Sequence, residues 1–242
     1  MSETILVTGA SAGFGQAICR RLVADGYRVI GSARRIDKLH ALQEELGEAF
    51  YPLQMDVTDL SQVDHALASL PKAWERVDVL VNNAGLALGL APAYEAEIAD
   101  WLTMIQTNIV GLTYLTRKIL PQMVERNDGY IINLGSTAGT VPYPGANVYG
   151  ASKAFVKQFS LNLRADLAGK KIRVSNIEPG LCEGTEFSSI RFKGDEKRVE
   201  ALYRGAHAIQ PEDIANTVAW LIQQPKHVNV NRIEIMPVSQ TF

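Results

Sequence analysis

Near its N-terminus the chain passes from an apolar run, Ile5-Leu6-Val7, through Thr8-Gly9-Ala10-Ser11-Ala12-Gly13-Phe14-Gly15 into a stretch with Ile18, Leu22 and Val23 at helical spacing. A short apolar strand followed at once by a helix, Gln16 to Asp25 with Gly26 as its stop, is a βα unit and commits the chain to a sheet flanked by helices. In such a unit the helix N-terminus, with its free N–H groups and the positive end of its dipole, lies at the carboxyl edge of the strand. Glycines between the two elements permit the tight turn and let the backbone approach an anion closely. Gly9, Ser11, Gly13, Phe14 and Gly15 therefore predict a cradle for a pyrophosphate. Many turns are rich in glycine; the placement after a strand and before a helix carries the reading.

The same alternation continues along the chain. Arg28 to Ser32, Phe50 to Met55, Val77 to Val81, Tyr130 to Leu134, Lys171 to Ile177 and Arg232 to Met236 read as strands. Between them, Ile36 to Leu46, Leu60 to Leu70, a long stretch from about Trp101 through Thr116, Val148 to Leu167 and the residues after Pro211 read as helices. Strands alternating with helices predict an α/β fold: one Rossmann-like, doubly wound, seven-stranded parallel sheet with helices on both faces, spanning 1–242 as a single domain. Residues 184–210 break the pattern, being polar and charged with glycines at 194 and 205, and are expected to form a lid over the sheet.

Hydrophobic residues make up 47% and charged residues 21%, enough for a sizeable core. A net charge of −2 gives no basic field for nucleic acid, and no apolar run has the length of a membrane span. Met1-Ser2-Glu3-Thr4 enters the first strand without the basic flank and cleavage site of a signal peptide. Cys19 and Cys182 stand far apart in unlike contexts and read as isolated thiols rather than a disulfide or metal ligands. A reducing cytoplasm and no metal are the expectation.

Dinucleotide folds that take NAD place an acid at the end of the second strand to bind the ribose 2′-hydroxyl. Here that place holds Ser32-Ala33-Arg34-Arg35. Guanidinium groups bind a 2′-phosphate well, so Arg34 and Arg35 predict NADP. Further on, Tyr149 and Lys153 are four apart and share one helix face. An ammonium beside a phenol stabilises the phenolate and lowers its pKa from ~10 toward the working range of an acid–base catalyst. Ser136 puts a hydroxyl at the carboxyl end of the fifth strand, where ligands bind in open α/β sheets.

The glycine turn, Asn82-Asn83-Ala84-Gly85, Asn108, Ser136, Tyr149-Gly150-Ala151-Ser152-Lys153 and Pro179-Gly180 together resemble the short-chain dehydrogenase/reductase family over essentially the whole chain. The resemblance implies Tyr149 as general acid in reduction and base in oxidation, and Ser136 as the holder of the substrate oxygen. It implies Lys153 on the nicotinamide ribose, and Asn108 anchoring a water that relays protons through Lys153. Asn83, Ala84 and Gly85, with Asn82, would close the adenosine side, Asp56 and Val57 would meet the adenine edge, and Pro179 and Gly180 would complete the cofactor site. Tyr149 and Lys153 are both present, which counts against a non-catalytic NADP-sensing regulator.

Within the family, Gly184-Thr185-Glu186-Phe187 and Arg191-Phe192-Lys193-Gly194 are similar to the NADP-dependent 3-hydroxy acid dehydrogenases of bacteria, which act on serine, allo-threonine and 3-hydroxypropionate and reduce malonic semialdehyde. They are equally similar to sulfoacetaldehyde reductases. All these substrates are short and anionic at one end, so a fixed cation is expected beyond the reacting carbon: Arg191 first, Lys193 second. Nothing in the residues decides between carboxylate and sulfonate, and Cys182-Glu183 could tune that choice either way. A 3-oxoacyl carrier-protein reductase would need a basic patch at the mouth of the site, where the charges here are mixed. The resemblance also implies a homotetramer, with the helices around Asn108 and Tyr149 and the tail from Ile233 to Phe242 at its interfaces.

Overall fold

The computed structural model describes residues 3–241. Met1 and Ser2, part of the N-terminal reading, and Phe242, the end of the tail, lie outside the described residues. The sheet has seven strands, all parallel, in the order β3-β2-β1-β4-β5-β6-β7: β1 Thr4–Thr8, β2 Arg28–Ala33, β3 Phe50–Gln54, β4 Val79–Asn82, β5 Gly129–Leu134, β6 Ile172–Pro179 and β7 Arg232–Ile235. This is the expected doubly wound arrangement. The order reverses between β1 and β4, which leaves a crevice at their carboxyl ends.

Both faces of the sheet are covered, so the strands are apolar on both sides and alternate between two cores. Ile5 and Val7 of β1 join the core formed with α1 (Gly13–Ala24), α2 (Ile36–Leu46) and α9 (Pro211–Gln223). Leu6, between them, points into the other core, with α3 (Leu60–Ala68), α5 (Leu112–Arg126) and α6 (Asn147–Asp166). A buried polar ladder ties the middle of the second face: Asn82 Nδ2 donates to Thr116 Oγ1 at 3.0 Å and to Asn133 Oδ1 at 2.8 Å, and Asn133 Nδ2 donates to Ser160 Oγ at 2.8 Å. These two buried amides are tolerated because each finds partners.

Element boundaries depart from the sequence reading where tertiary contacts intervene. The first helix begins at Gly13 rather than Gln16, inside the glycine turn itself. The long helix starts earlier, with α4 Ile98–Ile105, and reaches α5 through one π turn, Gln106–Gly111. Gly111 explains part of this passage: a Cβ there would lie 2.7 Å from the Val57 carbonyl oxygen, so the helix packs against the β3–α3 loop on bare backbone. The segment 184–210 is not a structureless insertion. It folds into α7 (Phe187–Arg191) and α8 (Glu196–Tyr203). Its two feet are joined, Glu183 N–H donating to the Ile209 carbonyl and Ile209 N–H to the Leu181 carbonyl, each at 3.0 Å. Among the described residues no helix is long and apolar enough to cross a membrane, and no group of three potential metal ligands occurs.

Candidate active site

A cavity of about 640 Å³ opens at the carboxyl ends of the strands, within the usual size for a cofactor or small-molecule site. The glycine turn forms its floor. α1 begins at Gly13 with Ala12 as N-cap and no side-chain cap, so its first N–H groups are left for a ligand. Gly13 has φ +52°, and a Cβ there would lie 3.0 Å from the Thr185 side chain. Gly9, at φ +69°, would press a Cβ to 2.9 Å from Asn83 Nδ2. Gly15 differs from these: it does not line the cavity, and a Cβ would lie 2.2 Å from the Gly9 carbonyl oxygen. Its glycine serves the fit of helix against turn.

Thr8 stitches the turn to the neighbouring strand. Its hydroxyl accepts from Asn83 N–H at 3.0 Å and Ala84 N–H at 2.9 Å, while Asn83 Nδ2 donates to the Thr8 carbonyl at 2.8 Å. Asn83, Ala84 and Gly85 thereby line the cavity, whereas Asn82 is turned into the polar ladder below. Asp56 and Val57, Ser11 and Phe14, and Pro179 and Gly180 line it as well. Ser32 supplies an independent sign of a polar ligand: it lines the cavity at the end of β2, yet its buried hydroxyl has no hydrogen-bond partner among the described residues. The cradle, the uncapped helix and this orphaned hydroxyl fit a dinucleotide.

The two arginines beside Ser32 are not equivalent. Arg35 donates to Glu186 through Nη1 at 3.1 Å and Nη2 at 2.8 Å, and to Ser11 Oγ through Nη2 at 3.1 Å. Arg34 accepts a hydrogen bond from Gln54 at its carbonyl, and its exposed side chain makes none among the described residues. Glu186 is a residue whose place at this end of the cavity no local pattern could reveal, since it lies 151 positions from Arg35.

At the other end, Ser136, Tyr149, Lys153 and Arg191 converge on the cavity. Tyr149 and Lys153 are both buried on the inner face of α6. The Tyr149 ring packs on Phe187, centroids 5.8 Å apart, and joins a small apolar cluster with Ala87 and Met104. Burial pushes its phenol up to about 12, opposed by the hydrogen bond from Ser136 and by the positive charge of Arg191. Burial lowers Lys153 to about 8. The net lowering expected for Tyr149 is thus not what the geometry produces. Lys153 Nζ lies 6.0 Å from the tyrosine ring centroid and donates instead to the Leu134 carbonyl at 2.8 Å. Loss of water around the phenol outweighs its favourable neighbours.

Asn108 stands behind this group, in the π turn, and does not line the cavity. Its side chain is fully engaged, Oδ1 accepting from Leu86 N–H at 2.9 Å and Nδ2 donating to the Leu86 carbonyl at 2.9 Å and Ser152 Oγ at 3.0 Å. The amide N–H groups are thereby both used within the protein. Arg191 is fixed from three sides. Nε donates to the Gly89 carbonyl at 3.3 Å, Nη2 donates to Tyr143 Oη at 2.9 Å, and the guanidinium carbon is 5.4 Å from the Tyr149 ring centroid. Lys193, the second candidate cation, is turned outward and paired with Asp100 at 2.8 Å. Glu183 is held by Gln210 at 2.7 Å and Cys182 lines the cavity, its thiol raised to about 12 by burial. Tyr143 escaped the sequence reading, because only folding brings it to Arg191.

A switch-point cleft that fits a dinucleotide, with a buried tyrosine and lysine and a half-buried serine at its far end, defines an oxidoreductase of the dehydrogenase class. The chain belongs to the short chain dehydrogenase family, whose model matches residues 3–196. It is 61% identical over 100% of its length to a probable NADP-dependent dehydrogenase of Haemophilus influenzae, covering 96% of that protein. It is 57% identical to an NADP-dependent 3-hydroxy acid dehydrogenase of Salmonella typhi, covering 98% of this chain and 96% of the other. Among solved structures, a closed form of serine dehydrogenase complexed with NADP+ superposes with a TM-score of 0.98 at 55% identity, covering 99% and 96% of the two chains.

Proposed function

We propose that this protein is an NADP(H)-dependent dehydrogenase that interconverts a short 3-hydroxy acid and its 3-oxo form, with 184–210 as the lid over the substrate. The observation that carries the substrate class is Arg191: a guanidinium held by Tyr143 and Gly89 beside the ring of Tyr149, on the wall of a largely apolar chamber. A fixed, partly desolvated cation at that distance from the proton donor suits a molecule with an anionic end and a reacting carbon a few bonds away.

Gly9, Ser11, Gly13, Phe14, Asn83, Ala84, Gly85, Pro179 and Gly180 would hold the dinucleotide, with Asp56 and Val57 at its adenine. Bound there, the nicotinamide supplies or accepts a hydride. The protein's own work is protonic and positional. Tyr149, which keeps its proton at neutral pH, gives it to the carbonyl oxygen during reduction and takes it back during oxidation. Ser136 steadies that oxygen. Lys153 is a cation below about pH 8, and its charge offsets the negative charge that develops on Tyr149. Asn108 holds the Leu86 turn and Ser152 in register behind Lys153.

The names of the relatives support the hydroxy-acid reading, and a sulfonate would satisfy the same guanidinium. Steady-state comparison of malonic semialdehyde, sulfoacetaldehyde and serine, each with NADP(H) and NAD(H), tests both points. The expected result is a kcat/KM at least about tenfold higher with the phosphorylated cofactor, as one charged hydrogen bond is worth ~1.5–3 kcal/mol. A carbon acid should outrank the sulfonate. Equal use of both cofactors sinks the NADP reading, and preference for sulfoacetaldehyde turns the assignment to isethionate formation. Exposed apolar side chains on α4 (Ile98, Leu102) and on α6 (Phe155, Leu161) support a homotetramer in which these helices meet.

A further inference from the structure

We infer that the two adjacent arginines at the end of β2 divide their labour: Arg34 reads the 2′-phosphate, while Arg35 and Glu186 form a strap that sets the rate of cofactor exchange. The inference rests on the NADP reading for Arg34 only. Arg35 begins the α2 side of the cleft, Ser11 belongs to the glycine turn, and Glu186 precedes α7 at the root of the 184–210 segment. Two guanidinium nitrogens meet two carboxylate oxygens at 3.1 and 2.8 Å, so the pair is bidentate and joins one wall of the cleft to the other. Next to it, Thr185 lies against Gly13, closing the same segment over the cradle. Each partner holds the other ionised: hydrogen bonding to Glu186 raises Arg35, and hydrogen bonding to Arg35 lowers Glu186. Arg35 has little left to offer a phosphate, with Nε and Nη2 also turned to Ser11. Arg34, at the same edge of the cavity, has no hydrogen bond to its guanidinium among the described residues.

A closure that makes no contact of its own with the ligand binds it no more tightly. It slows entry and exit alike and leaves the equilibrium constant where it was, because a shift in population needs differential affinity. The pair is half exposed, 43% and 50% by side chain, so it is a weak strap that salt screens. These properties separate it from a phosphate ligand, whose loss changes affinity, and from a merely structural ion pair, whose loss changes neither rate.

Arg34→Ala, Arg35→Ala, Glu186→Gln and the Arg35/Glu186 double variant are compared by two readouts. One is the calorimetric affinity for 2′,5′-ADP. The other is the stopped-flow rate of NADPH and NADH binding and release, followed by nucleotide fluorescence. Arg34→Ala should weaken 2′,5′-ADP roughly tenfold or more and leave NADH release unchanged. Glu186→Gln should leave the 2′,5′-ADP affinity within about twofold and speed both association and release of either cofactor about fivefold, the scale of one exposed bidentate pair. Arg35→Ala should do the same, and the double variant should add nothing further. Raising salt should hasten release from the unaltered protein and hardly affect Glu186→Gln. Unchanged exchange rates in Glu186→Gln overturn the strap. Tighter 2′,5′-ADP binding in that variant also overturns it, since Glu186 would then compete with the phosphate for Arg35. If the unaltered protein binds NADH as tightly as NADPH, the 2′-phosphate reading fails, and the strap is still judged on NADH release alone.

Discussion

Tyr149→Phe is expected to lower kcat by about 10²–10⁴-fold, the usual loss when one positioned acid–base group is removed. The substitution deletes a hydroxyl and keeps the ring that packs on Phe187 and against Ala87 and Met104, so the fold and the affinity for NADP(H) should be nearly intact. Affinity measured by fluorescence titration, beside single-turnover rates, separates the proton from the binding. A Phe variant that retains more than about a tenth of the rate would falsify the assignment. The pH profile adds a second check. With Tyr149 pushed up to about 12, its proton is in place across the neutral range and sets no limb there. Lys153, lowered to about 8, loses its charge as the pH rises through that value. Carbonyl reduction should therefore run level below pH 8 and fall above it. Lys153→Arg, which keeps its charge, should flatten that fall even as its bulk costs rate.

Arg191→Ala is expected to lower kcat/KM for an anionic aldehyde by roughly ten- to a hundredfold, from a charged hydrogen bond of ~1.5–3 kcal/mol. A neutral aldehyde of equal length should hardly respond, because no charge is left unpaired when the guanidinium goes. The geometry makes this control decisive. Arg191 also ties α7 to the Gly89 carbonyl and to Tyr143, and Gly89 N–H donates back to the Arg191 carbonyl at 2.9 Å. If the neutral substrate suffers equally, the residue is holding the segment in shape and the anion is bound elsewhere. Arg191→Lys should recover only part of the loss, since an ammonium lacks the planar fork that meets Gly89 and Tyr143 together.

The chain's own order of residues already carried the sheet, its seven strands and the position of the glycine cradle. Those rest on local rules: period-2 and period-3.6 apolar patterns, glycine where the turn is tight, and the fixed handedness of βα units. Tyr149 and Lys153 were legible for the same reason, as a spacing of four on a helix is a statement about one face. Folding decided what lies between elements. Only the packed structure paired Arg35 with Glu186 and left the Arg34 side chain without a partner among the described residues, because an ion pair across 151 residues leaves no periodic trace. Only it turned Lys193 outward to Asp100 and Arg191 inward to Tyr143, although the two stand two residues apart on the same segment. It also reversed the expected shift of Tyr149: a sequence can place an ammonium four residues away, but how much water a phenol loses is set by every element that closes over it.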